Sequence, residues 1–209
     1  MWHCFCLPQV RKKFGLDTEN YNWCLTGNAG AGKSTLANTL RGLRPGQPGA
    51  AKTGVTETTH VRTAYDMPNY PYAKLWDLPG GGTEAHRAEK YFEEERIDVF
   101  DAVIIVTKDR FTQFDKFLCD ICKERKVPFF CVRTRADRAI EDDMHDNGWP
   151  EPRPEETMRK LRARMVECVG EAYKQQIFVV SGLLNNMGQY DMPGLIHAVL
   201  HATASSRVG

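Results

Sequence analysis

The chain has 209 residues, 28 Lys and Arg against 27 Asp and Glu, a formal net charge of +1 and 42% hydrophobic residues. That is the profile expected of a soluble globular domain with one sizeable core. The near-zero charge speaks against a sequence-independent nucleic-acid binder, which needs a broad basic field, and no apolar run approaches the ~20 residues of a membrane-spanning helix. Met1–Val10 lacks the long apolar stretch of a secretory signal. The seven cysteines, without framework spacing, fit a reducing compartment.

Residues 1–20 read as a short N-terminal extension, 21–203 as one domain and 204–209 as a tail. In chain order, Asn22–Thr26 is the first candidate strand and Lys33–Arg41 the first helix. Gly42–Thr59, rich in Gly, Pro and Thr, has no regular pattern. His60–Tyr65 and Tyr72–Asp77 follow as two strands joined by a Pro/Asn-rich link, which makes one antiparallel edge strand plausible. Asp101–Thr107 is a strand with a continuously apolar centre, as in a parallel strand buried on both faces. The stripe Phe111, Phe114, Leu118, Ile121 and Cys122 predicts a helix over Phe111–Lys126, and Val127–Arg133 is the next strand. Ala139–Pro154, acidic and then Pro-rich, reads as an irregular surface insertion. Pro154–Tyr173 is helical, Gln176–Val180 is the last strand, and Met192–His201 closes the pattern. Strands alternating with helices imply right-handed crossovers and a mostly parallel α/β sheet covered by helices on both faces.

The chemistry begins at Gly27-Asn28-Ala29-Gly30-Ala31-Gly32-Lys33-Ser34. This satisfies G-x-x-x-x-G-K-[ST], follows an apolar strand and opens a helix. The glycines let backbone N–H groups converge on phosphate oxygens at a helix N-terminus. Lys33 is then placed for the β- and γ-phosphates, and the Ser34 hydroxyl for Mg²⁺. Thr35 follows in the first turn. Asp77-Leu78-Pro79-Gly80, at a strand end, supplies a carboxylate for Mg²⁺ and a glycine N–H for the γ-phosphate. Thr134-Arg135-Ala136-Asp137 stands where GTPases carry [NT]-K-x-D. Asp137 would accept from guanine N1–H and the 2-amino group, and adenine would leave that carboxylate unpaired. Arg135 replaces the usual Lys, and the two are not equivalent. Ser181-Gly182, after the last strand, is where a backbone N–H commonly meets guanine O6. Between the first two motifs, Ala51–Thr59 offers four threonines as candidates for Mg²⁺ and the γ-phosphate.

These segments resemble the GTPase domain of the immunity-related (interferon-inducible) GTPases, a Ras-like P-loop NTPase fold. The likeness is carried by Leu40-Arg41-Gly42-Leu43, by Ala50-Ala51-Lys52-Thr53-Gly54-Val55 with Glu57-Thr58-Thr59, and by Leu75-Trp76-Asp77-Leu78-Pro79-Gly80. Arg110-Phe111-Thr112 with Asp115, Val132-Arg133-Thr134 before Asp137, and Tyr190-Asp191-Met192-Pro193 add to it. The resemblance implies binding of GTP and GDP, slow hydrolysis that speeds up on self-association through the GTPase faces, and residence on intracellular membranes in host defence. It implies that Thr53 and Gly54 lie in switch I with Thr53 facing the nucleotide and Mg²⁺. It also implies that Glu57 takes part in activation across a homodimer. Family members carry helices before and after this domain, which this sequence is expected to lack, so membrane targeting is not implied by the domain alone. Trp2 in place of glycine excludes N-myristoylation. The expected location is cytoplasmic.

Ras-like enzymes orient the attacking water with a Gln directly after D-x-x-G. Here Gly81 stands there, so turnover is expected on the order of 10⁻⁴–10⁻² s⁻¹, with electrostatic catalysis by Lys33, Mg²⁺ and the P-loop amides completed by a partner subunit. The alternatives are a nucleotide-state-dependent binding module with little or no hydrolysis, an ATP-using P-loop enzyme and an inactive fragment. Cys119-Asp120-Ile121-Cys122 reads as helix packing rather than a metal site, and His197 with His201 as a surface pair.

Overall fold

A computed structural model describes residues 7–54, 61–81 and 85–206. Thr56, Glu57, Thr58 and Thr59 of the Thr-rich segment, and Gly82 and Thr83 after the Asp77–Gly81 segment, lie outside the described residues.

The sheet is built around β4 (Ala102–Thr107), whose six residues are all buried. A strand with apolar groups on both faces is stable only when both faces are covered and both edges paired. β1 (Tyr21–Thr26) pairs with it in parallel on one side, and β5 (Phe129–Arg133) on the other. β3 (Ala73–Asp77) lies parallel on the far side of β1, and β6 (Ile177–Val179) beyond β5. β2 (Thr63–Asp66) runs antiparallel on β3 as the edge strand, giving the order β2-β3-β1-β4-β5-β6. The antiparallel edge and the parallel body are those expected from the sequence.

The two faces carry separate cores. On one, Leu25, Leu36, Leu75, Ile104 and Leu195 pack beneath α2 (Lys33–Leu40) and α7 (Met192–Ser206). On the other, Trp76, Phe92, Phe114, Leu118 and Met165 pack beneath α3 (Ala85–Glu94), α4 (Gln113–Glu124) and α6 (Pro154–Val169). Each fully buried Leu, Ile or Phe contributes roughly 1.5–3 kcal/mol. The helix after β1 goes to one face and the helix after β3 to the opposite face. Adjacent strands whose connections part in this way open a crevice at their C-terminal ends, where α/β folds hold their ligands.

Three helices differ from expectation. α5 (Ala136–Asp146) is regular where Ala139–Pro154 reads as an irregular insertion. It buries only Ala136 and Ile140, too narrow a stripe to stand out among acidic residues. α3 likewise, among the described side chains, turns Ala88, Tyr91 and Phe92 inward within a charged run. α1 (Leu7–Lys13) lies in the N-terminal extension, where the Arg11 guanidinium donates to Asp101 at 2.8 Å and to the Val99 carbonyl at 2.9 Å. α6 stops at Gly170, whose φ of 107° breaks the helix, and Glu171–Gln176 continues as a 3₁₀ turn. Cys119 and Cys122 are both buried, as helix packing requires.

Candidate nucleotide site

β1 ends at Thr26, and the chain turns through Gly27–Gly32 into α2. Gly32 caps the helix with φ 95°, a left-handed conformation that favours glycine. Lys33 then folds back over the loop, and its Nζ donates to the Gly27 carbonyl at 3.2 Å and the Asn28 carbonyl at 3.0 Å. Lys33 is 6% exposed. It is a buried cation gripped by main-chain oxygens at the point where the loop curls.

Beside it, the Ser34 hydroxyl donates to Asp77 Oδ2 at 2.6 Å, and Asp77 is 1% exposed. A hydroxyl and a carboxylate at this distance form a hard-oxygen pair, the kind a magnesium ion takes when phosphate and water supply the remaining ligands. Among the described residues no group of three or more His, Cys, Asp or Glu side chains comes together.

The Asp77–Gly81 segment is docked onto the P-loop. The Leu78 N–H donates to the Leu25 carbonyl and the Gly81 N–H to the Gly27 carbonyl, both at 3.1 Å. A Cβ on Gly80 would stand 2.6 Å from Ala29 Cα, and one on Gly81 would stand 1.9 Å from the Phe114 ring. Both glycines are therefore fixed by space.

The P-loop is held from three further directions, which motif reading does not reveal. The Asn28 amide is turned towards the start of α4, where it donates to Thr112 Oγ1 at 2.7 Å and to Asp115 Oδ1 at 3.2 Å. Thr112 and Asp115 form a capping box in which Asp115 Oδ2 accepts the Thr112 N–H at 2.9 Å. Burial pushes the Asp115 carboxyl up, against the Thr112 donors and the Lys33 charge, which pull it down. Thr134 Oγ1 donates towards the Ala31 carbonyl at 3.1 Å and the Thr107 carbonyl at 3.2 Å, tying the loop after β5 to the P-loop. In α3 the Tyr91 hydroxyl donates to the Pro79 carbonyl at 2.8 Å and lies 2.9 Å from Thr26 Oγ1. The spacing Thr112-x-x-Asp115 is a capping-box signal open to sequence reading; Tyr91 carries none.

At the other end of the crevice, Arg135 takes the left-handed conformation at φ 61° and opens α5. Its guanidinium stands 4.0 Å from Asp109. Asp137 sits in the first turn of α5, and among the described residues its carboxylate makes no hydrogen bond or ion pair. Ser181 is fully buried, with its hydroxyl accepting from the Leu183 N–H at 3.3 Å and from the Asn186 amide at 3.0 Å. The Gly182 carbonyl accepts from Thr39 at 2.5 Å, and a Cβ on Gly182 would stand 3.3 Å from Thr35. The loops after β5 and β6 thus converge on the P-loop and on α2. Thr53 and Gly54 are exposed and, among the described residues, bond to neither Ser34 nor Asp77. The structure does not bring them to the cluster, and Glu57 lies outside the described residues. Just before them, Asn38 clamps Ala51, donating to its carbonyl at 2.9 Å and accepting its N–H at 2.7 Å. Arg41 donates to the carbonyls of Asp66 and Gly49 at 3.0 and 2.9 Å.

Known proteins resemble this chain in sequence and in fold. The chain is 31% identical over 184 residues to mouse interferon-gamma-inducible GTPase 10, covering 86% of this chain and 43% of that protein. It is 34% identical over 185 residues to rat interferon-inducible GTPase 5, covering 88% of this chain and 39% of that one. It therefore spans less than half the length of these relatives. Among solved structures, a probable GTP-binding protein EngB aligns with a TM-score of 0.55 at 14% identity, over 88% of this chain and 99% of that one. An NFeoB protein of S. thermophilus bound to GDP and AlF4⁻ aligns at 0.53 and 17%, over 88% and 64%. These two show the fold, that of P-loop GTP-binding proteins. The sequence pattern described as Interferon-inducible GTPase (IIGP) matches residues 10–207, and the chain belongs to that family.

Proposed function

We propose that this chain binds GTP and GDP and cleaves GTP to GDP and phosphate at a low intrinsic rate. The observation that carries the reading is the Lys33 ammonium held by the Gly27 and Asn28 carbonyls beside the Ser34–Asp77 pair. The names of its relatives, which include a T-cell-specific guanine nucleotide triphosphate-binding protein of mouse, point the same way. The main-chain N–H groups of Ala29–Ser34 and the Lys33 ammonium take the phosphates, with Thr35 beside them. Ser34 and Asp77 hold Mg²⁺, which when bound neutralises charge on the phosphate oxygens. The Gly80 N–H meets the γ-phosphate. Thr134 braces the loop, Arg135 covers the base, and Asp137 accepts from guanine. Gly182 and the backbone of Ser181 reach O6, since the Ser181 hydroxyl is engaged within its own loop.

Switch I, with Thr53, Gly54 and Glu57, completes the γ-phosphate and Mg²⁺ contacts and, in a homodimer formed through the nucleotide face, the activation. Residues 21–203 are the GTP-binding domain, residues 1–20 and 204–209 its flanks. A cytoplasmic location, including the surface of intracellular membranes, rests on the family relationship alone.

One observation favours a second reading, a binding module that hydrolyses little. Gly81 is pressed against Phe114, leaving no room there for a side chain that orients water. Affinities for GTP, GDP and ATP, with and without Mg²⁺, test the proposal. Guanine nucleotides should bind far better than ATP, and Lys33→Ala should weaken binding on the order of 100-fold. A Lys33→Ala chain that binds as well as wild type ends the phosphate assignment. Single-turnover hydrolysis across a protein-concentration series separates the two readings. A rate that rises with concentration supports self-activation, and no turnover at any concentration supports the binding module.

A further inference from the structure

We infer that Tyr91 is a positioning residue for the γ-phosphate: its hydroxyl fixes the Pro79–Gly80 peptide and so aims the Gly80 N–H. The inference rests on the GTP-binding reading above. The segment after β3 is tied to the strand and loop beside it by the Leu78 N–H and the Gly81 N–H. Between those ties stands Pro79, which has no N–H to give. The Pro79 carbonyl and the Gly80 N–H belong to one peptide unit, planar and trans. They point in opposite directions across that plane, so a bond that holds the carbonyl sets where the N–H points.

Tyr91 makes that bond. Its phenol donates to the Pro79 carbonyl at 2.8 Å. Its single proton is spent there, so the Thr26 hydroxyl, 2.9 Å away, is the donor to the phenol oxygen. Thr26 is the last residue of β1, rooted in the sheet. The chain of bonds therefore runs from the central sheet through Tyr91 to the peptide. The ring is itself held, edge to face with Phe114 at 5.5 Å, and Phe114 fills the space over Gly81. On the other side the peptide rests on Ala29, which leaves no room for a Cβ at Gly80. Burial pushes the phenol far above its usual range, so it stays a donor at every accessible pH.

GDP has no γ-phosphate, so this strut should matter for GTP and not for GDP. The test measures dissociation constants for GDP and for GTPγS on the full chain, in wild type, Tyr91→Phe and Thr26→Val. In Y91F the ratio of the GTPγS to the GDP constant should rise about 3–10-fold, the loss of one oriented hydrogen bond, while GDP binding stays within about twofold. T26V keeps the donation to Pro79 and loosens only its root, so it should shift the ratio less than Y91F does. Should Y91F not fold, Y91F/T26V also removes the Thr26 hydroxyl that Y91F leaves unpartnered, so that the Pro79 carbonyl alone loses its donor, and it carries the same expectation. An unchanged ratio in Y91F, a parallel rise in both constants, or a T26V shift as large as that of Y91F overturns the inference. Wild type that binds neither nucleotide overturns the phosphate site itself and this inference with it. Wild type that binds both with a ratio indifferent to Tyr91 overturns this inference alone.

Discussion

Asp115→Asn is isosteric and removes one charge from beneath the P-loop. Asp115 is fully buried and accepts three donors: the Thr112 N–H at 2.9 Å, the Thr112 hydroxyl at 2.8 Å and the Asn28 amide at 3.2 Å. An amide offers one accepting oxygen. Turned towards Thr112, it sets its own N–H₂ against that of Asn28; turned the other way, it sets N–H₂ against both Thr112 donors. One or more buried donors are left unsatisfied, at about 1–3 kcal/mol, and the capping box loses about 1 kcal/mol more. Removing a desolvated charge returns part of this, leaving a loss near 2 kcal/mol and a drop in melting temperature of roughly 4–8 °C. The assay is urea unfolding with the second variant Asn28→Asp/Asp115→Asn, in which donor and acceptor exchange places; it should recover at least half the loss. The pH dependence has a definite sign. Burial raises the Asp115 carboxyl above 3.8 in the native chain, so the native state binds that proton more tightly than the unfolded state. Wild type therefore gains on D115N as pH falls through the raised value towards 3.8, and the gain is lost as pH rises through it. A D115N chain within about 0.5 kcal/mol of wild type, or a double variant no better than the single, refutes the reasoning.

Phe114→Ala empties a fully buried ring site between Tyr91 and Gly81; a loss of about 3–5 kcal/mol in denaturant unfolding is expected, and a loss under about 0.5 kcal/mol, as at a surface position, counts against the packing. Asp137→Ala should bring the preference of GTP over ATP, read by competition binding, from about 10⁴ towards unity; a preserved preference moves guanine recognition elsewhere. Asp77→Asn weakens the hard-oxygen pair with Ser34, so GTP binding should need several-fold more Mg²⁺ in a metal titration, and an unchanged requirement removes Asp77 from the metal site. Gly81→Gln should not create a fast GTPase, because its side chain meets Phe114; a tenfold faster single-turnover rate with an unchanged melting temperature contradicts that.

The sequence pattern is most legible where one residue answers to one local constraint. The run Ala102–Val106 is short, continuously apolar and rich in β-branched residues, as a strand buried on both faces is, and all of it is buried. Lys33 and Ser34 are fixed by spacing from Gly27, because the loop that cradles phosphates has one length. Illegible were elements whose burial is slight. α5 commits Ala136 and Ile140 to the core and otherwise displays charge, so its periodicity is drowned by its solvent face. Also illegible were partners set by the fold. Asn28 and Asp115 are 87 positions apart and Thr26 and Tyr91 65, and only the packing of α3 and α4 over β1 brings them together. Ser181 is placed by its position after β6, whereas the bonds its hydroxyl accepts from Leu183 and Asn186 are set by the fold of its own loop.

The same packing explains why the loop after β3 has the composition it has. The P-loop is braced by α4 through Asn28, by the loop after β5 through Thr134 and by the Asp77–Gly81 segment through Gly27. A loop so braced has little conformational freedom left to lose. The bracing has a geometric cost. To lie on Ala29 the chain must be glycine at Gly80, and to pass beneath Phe114 it must be glycine again at Gly81. The second glycine is the position from which a Ras-like enzyme orients water. In this chain a side chain directly after Gly80 and the ring of Phe114 compete for the same space, and the ring already occupies it.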